Sequence, residues 1–182
     1  DELEELLRRV EEVDKESKRR LDEIKRRMKE VNDRTREALR DLLRRLAEVV
    51  KRVLDLIRRG SDKDRLLEDL RRILREVKEA AKELLKRNRE ITEKMVRDLK
   101  RIVKDNKKIL DDVEKTLREA NLESERVKKV VDDARDSSRK TVERLETVVR
   151  DLKRSSDDVE REVRELLKEL ERLVKKVEDD AK

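Results

Sequence analysis

Leu3, Leu21, Leu39 and Ile57 stand eighteen residues apart, and the apolar positions around them repeat at the same interval. Further columns in the first third of the chain are Leu6/Ile24/Leu42, Val10/Met28/Leu46 and Val13/Val31/Val49, with Ser17/Thr35/Val53 beside them. The middle third repeats as Ile73/Ile91/Ile109, Val77/Met95/Val113, Ala81/Leu99/Leu117 and Leu70/Asn88/Asn106. The last third gives Val127/Leu145/Val163, Ala134/Leu152/Leu170, Ser137/Ser155/Leu173 and Ser138/Ser156/Val174. Eighteen residues are about five turns of an α-helix, so this spacing holds one apolar stripe on one face of an unbent helix. A heptad repeat would instead impose a left-handed supercoil. The chain is thereby constrained to long helices that bury their stripes against one another.

Two places break the pattern. At Arg59-Gly60-Ser61-Asp62-Lys63-Asp64, Gly60 suits the left-handed residue past a helix end, and Ser61 suits an N-cap with Asp64 three residues on. At Ala120-Asn121-Leu122-Glu123-Ser124-Glu125, Asn121 tolerates the left-handed conformation and Ser124 can cap the next helix. Helices are expected near 2–59, 62–120 and 125–181, about 58 residues and roughly 87 Å each at about 1.5 Å per residue. Connections this short make neighbours antiparallel. The expectation is an all-α fold: a single long antiparallel three-helix bundle, up-down-up and nearly straight, with residues 1–182 as one domain.

Composition separates this reading from disorder. Charged residues make up 57% of the chain and hydrophobic ones 34%, a balance that could mark an unfolded polymer. Here the apolar residues are regularly spaced and helix breakers are almost absent, with one Gly and no Pro. The chain also lacks His, Cys, Phe, Tyr and Trp, although aromatics normally carry much of a core's buried area. These columns and missing residue types resemble the computationally designed, parametric helical bundles, over the whole length of the chain. The resemblance implies a structural scaffold with no natural substrate or partner, often carrying buried hydrogen-bond networks.

Polar residues inside the columns are the informative ones. Folding at the two turns pairs residue i of the first helix with about 121 − i of the second, and residue j of the second with about 245 − j of the third. Asn106 then lies level with Ser17 and with Ser138 or Thr141. Asn88 lies level with Asn32 and Thr35 and with Ser155 and Ser156, with Thr92 one turn away. Two polar layers are expected, about 27 Å apart at helical rise. A buried side-chain amide left unpaired costs about 1–3 kcal/mol, so each Asn needs the hydroxyl partners found at its level. The resemblance implies the same, since designed bundles use such networks to fix pairing and register.

Catalytic, cofactor and metal sites are not expected. A hydroxyl nucleophile needs a neighbouring base, and the chain has no His. Carboxylate-bridged metals in bundles need inward Glu, usually with Glu-x-x-His, and none of the seam columns above holds a carboxylate. The 49 acidic residues are read as solvated faces paired with Lys and Arg at helical spacing.

No partner is required by these features, and no cofactor. Lys15 to Lys29 holds eight basic and three acidic residues, and Arg97 to Lys108 holds six and two. Such a belt attracts polyanions nonspecifically, but without aromatics to stack on bases it does not read nucleic-acid sequence. An alternative role is an interaction module, either a groove accepting a further helix or a self-associating bundle. Homo-oligomerisation is expected, if anywhere, at the apolar-rich end around Leu42–Ile57, Leu66–Leu74 and Leu166–Val177. No apolar run approaches the roughly 18 residues of a membrane span, and no signal-peptide pattern opens the sequence. A soluble chain is expected, suited to recombinant cytoplasmic expression, with no natural compartment indicated.

Overall fold

The computed structural model describes residues 2–120 and 125–181, and side chains from 4 to 119, of 125 and from 128 to 181. Within them lie three α-helices and no strand: α1 Glu2–Arg58, α2 Lys63–Ala120 and α3 Glu125–Asp180. Their interiors are built from Leu, Lys, Arg, Glu and Ala, which lose little side-chain freedom in a helix. The one Gly is kept out of the helices.

That glycine closes α1. Gly60 adopts φ 87°, its N–H donates to the Ile57 carbonyl at 3.1 Å, and the Ser61 N–H reaches back to the Leu56 carbonyl at 3.1 Å. These two bonds are the Schellman pair, and they satisfy carbonyls that the ending helix would otherwise strand. The cap of α2 differs from the expectation of Ser61. Asp62 takes the position instead: its carboxylate accepts the Arg65 N–H at 3.4 Å and its carbonyl accepts the Leu66 N–H at 3.2 Å. The turn that ends α1 runs through Ser61, so α2 begins at Lys63 and the residue before its first turn is Asp62. The turn expected around Asn121 and Ser124 lies outside the described residues.

The chain divides into two compact units, Asp1–Lys29 with Thr92–Arg154, and Glu30–Ile91 with Ser155–Lys182. Each takes one segment from every helix. In the first unit Leu21, Met28, Leu99, Ile102, Leu145 and Leu152 form one buried cluster, and Val10, Val113 and Val131 a second. In the second unit Leu46, Val50, Leu70, Val77, Val174 and Val177 pack together, as do Leu39, Ala81, Val159 and Val163. Burial of each Val or Leu contributes about 1.5–3 kcal/mol, offset by the entropy of ordering the chain.

Helix directions follow from which residues meet. Between α1 and α2 the sequence separation of bonded side chains falls toward the turn, from 89 at Asn106–Ser17 to 64 at Thr92–Met28 in the first unit. Between α2 and α3 of the second unit it falls from 107 at Arg71–Glu178 to 71 at Arg89–Glu160. Both pairs are antiparallel. Between α1 and α3 of the second unit the separation stays nearly constant, 123 at Asn32–Ser155 and 126 at Arg36–Glu162, so these helices are parallel. The fold is an up-down-up three-helix bundle.

Most apolar columns are buried or half-buried, with two corrections. Ile91 is 37% exposed and Leu173 is 39% exposed. Their column mates Ile73, Ile109, Ser137 and Ser155 are only half-buried, so these columns run along the flank of the stripe. A side chain there is uncovered by a small rotation of its helix.

Candidate functional site

Each unit holds one buried polar network built from all three helices or from pairs of them. In the second unit, Asn88 of α2 is 2% exposed. Its amide nitrogen donates to Asn32 Oδ1 at 2.9 Å and to Thr35 Oγ1 at 3.3 Å, both on α1. Its Oδ1 accepts the Ser156 hydroxyl of α3 at 3.2 Å. Asn32 in turn donates to Ser155 Oγ at 2.6 Å, and Thr35 donates to the Val31 carbonyl at 2.8 Å. Five side chains thus share one connected set of bonds, and every member is neutral.

In the first unit the pattern splits in two. Asn106 of α2 is 1% exposed, and its amide nitrogen donates to Ser17 Oγ of α1 at 2.8 Å and to the Ile102 carbonyl of its own helix at 2.8 Å. Thr141 of α3 donates not to Asn106 but to Asp14 Oδ1 of α1, with the Ser137 carbonyl 3.0 Å from the same hydroxyl. Ser137 donates to Asp14 Oδ2 at 2.9 Å. Ser138 is buried at 3% exposure, yet it is not a partner of Asn106. Thr92, also of this unit, is 4% exposed and donates to Met28 Sδ at 3.6 Å, a weak acceptor.

Asp14 stands outside the columns named above and is nonetheless a buried carboxylate, against the expectation that the acidic residues lie on solvated faces. It is 8% exposed. Its signal was in the sequence all along, because the eighteen-residue period places it in a column with Asn32 and Val50, which are both buried. Burial pushes its carboxyl up, but hydrogen bonds from Thr141, Lys18 and Ser137, together with the Lys18 charge, hold it below the ordinary Asp value. Lys18 Nζ lies 3.0 Å from Oδ2, with its side chain 48% exposed. The carboxylate therefore lies between two hydroxyls on the bundle side and a cation that reaches solvent.

The chemistry open to these groups is limited. Asp14 is the one carboxylate bonded to the hydroxyls of the network, and a carboxylate held below its ordinary pKa is a poor proton acceptor. In the second network Asn32, Thr35, Asn88 and Ser156 donate to one another, to Ser155 or to the backbone. Among the described residues no group of three or more acidic side chains could hold a metal ion, and no helix is long and apolar enough to cross a membrane. In the basic run from Lys15 to Lys29, Lys18, Arg19 and Arg20 are engaged by Asp14, Glu16 and Glu23 of the same helix. What the two networks do is connect helices at defined levels: Asn106 joins Ser17, Asn88 joins Asn32, and α3 is tied to α1 through Asp14 and Asn32.

No protein-family model and no curated protein matches this chain. Among solved structures it is similar to a protein described as "Computationally designed three helix bundle". The TM-score is 0.57 and the identity 21%, over 99% of this chain and 93% of the other. The likeness is one of fold: this chain shares the three-helix-bundle fold of that protein.

Proposed function

We propose that this protein is a designed structural scaffold, one whose sequence specifies a shape, and that its buried polar networks serve to fix helix register. The supporting observation is where the polar groups stand. An apolar seam with an eighteen-residue repeat offers equivalent packing when one helix slides by a whole period, and only groups that must find a partner distinguish the levels. Asn32, Thr35, Asn88, Ser155 and Ser156 form such a set, as do Ser17 with Asn106 and Asp14 with Thr141. The absence of aromatics and His, with charge spread over the outer faces, fits the same origin. Each helix runs unbroken through both units, and the chain is read as one cooperative domain on that ground.

Replacing Asn32, Asn88 and Asn106 together by Leu tests this role. Each replacement gains apolar burial and strands hydroxyls, effects of about 1–3 kcal/mol each and of opposite sign. The net loss of stability should be modest, about 1–3 kcal/mol and mostly at Asn88. The amide NMR spectrum should show more than one set of peaks, reporting alternative registers. A single, fully dispersed set of peaks from the triple variant would refute the register role.

A further inference from the structure

The geometry points to a second copy of this chain as the occupant of the α1/α3 groove in the second unit, docked so that α1 of each copy lies against α3 of the other. The groove measures about 250 Å³ and is floored by Leu39, Val163 and Leu166. Leu166 is 38% exposed, and Leu173, seven residues on and so on the same helical face, is 39% exposed. Half of the exposed large hydrophobic residues among those described thus lie on this one stretch of α3.

The rims of the groove carry opposite charge. Arg36 and Arg40 stand on the α1 side, and Glu162, Glu165 and Glu169 on the α3 side. Arg36 is engaged within the chain, its Nε 3.1 Å from Glu162 Oε2. Among the described residues Arg40, Glu165 and Glu169 make no ion pair. The Arg36–Glu162 pair sets the level: one turn further on, Arg40 stands level with residue 166, between Glu165 and Glu169.

Because α1 and α3 are parallel in this unit, a two-fold axis running along the groove brings α1 of one copy against α3 of the other at the same level. Arg40 of each copy then faces Glu165 and Glu169 of the other, and Leu166 faces the partner's apolar floor. An isologous contact requires this reciprocity, in which residue i meets j and j meets i. A basic rim on one helix and an acidic rim on its parallel neighbour supply it. An antiparallel docking would set each rim against its own kind and cost affinity through like-charge contact.

Two charge variants test the arrangement. Arg40→Glu makes both rims acidic, and Glu165→Arg with Glu169→Arg makes both basic. Sedimentation equilibrium should find the parent chain dimeric at about 0.1–1 mM. Each variant alone should self-associate about tenfold more weakly or worse, and an equimolar mixture should restore association as a heterodimer. Leu166→Glu with Leu173→Glu should be monomeric while keeping the parent's helical circular dichroism and melting, because both positions are exposed. A parent chain that stays monomeric leaves the groove to solvent or to a foreign helix and overturns the proposal. So does a dimer that survives the Leu166/Leu173 variant, or a mixture of charge variants that fails to pair.

Discussion

The two polar networks occupy equivalent columns and solve the same problem with different chemistry. Around Asn88 the groups are neutral amides and hydroxyls from three helices, joined into one set. Around Asn106 the amide takes one partner across the bundle and one in its own helix, and α3 is held instead by a carboxylate. The column Asp14/Asn32/Val50 shows the contrast along a single helix: charged, then polar, then apolar, all buried. Near the seam's edge a carboxylate is tolerated because Lys18 reaches out to water beside it. One period on, Arg36 takes the place of Lys18 but is paired with Glu162 of α3, and a neutral amide stands at Asn32. The first network contains a titratable group and the second is built of neutral ones.

The largest expected effect compares the apolar cores on which both networks rest. Leu99 in the first unit and Leu70 in the second are both 0% exposed. Leu99→Ala and Leu70→Ala should each cost about 2–5 kcal/mol, read from chemical denaturation. Similar losses in a single transition would support one cooperative domain, whereas two separate transitions would divide it.

A smaller effect separates the two amides. Asn88→Leu takes the donor from Asn32 Oδ1 and Thr35 Oγ1 and the acceptor from the Ser156 hydroxyl, and should cost about 1–3 kcal/mol net. Asn106→Leu strands only the Ser17 hydroxyl across the interface, while the Ile102 carbonyl keeps its helical bond. Its net change should be under about 1 kcal/mol. Equal losses would erase the distinction between a connected and a divided network.

The smallest effect concerns pH. Asp14 has a folded pKa below its ordinary value of 3.8. Its contribution to stability is therefore complete above that value, declines as pH falls through it, and is gone below the lowered folded value. The stability difference between the parent and Asp14→Asn should shrink as pH is taken from 6 to about 2, whereas the difference between the parent and Asn32→Ala should hold constant. Glu16, also lowered but fully exposed, is common to all three chains and cancels. A parent–Asp14→Asn difference independent of pH would break the contrast.

The eighteen-residue columns made the helices and their directions legible, because period and helix geometry are bound together. They also marked which polar residues could stand in the seam. The choice of partner among neighbouring hydroxyls was not legible. Thr141 could reach either Asn106 or a carboxylate, and that depends on rotamers a fraction of a turn apart. Asp14 is hidden by its residue type, which favours a solvated face, while its column with Asn32 and Val50 places it inward. The cap of α2 was legible only to within one residue, since Asp62, next to the expected Ser61, takes the position.

Gly60 shows what that decision leaves behind. A Cβ added there would meet nothing within 4 Å, so no neighbour demands a glycine. The demand comes from the handedness of the amino acid itself. At φ 87° an L-residue is opposed by its own backbone, at a cost of about 1–2 kcal/mol, whereas a residue of mirror-image configuration would find this dihedral in its own preferred region. Between two long right-handed helices, the connection from α1 to α2 is a place where an opposite chirality would be at home.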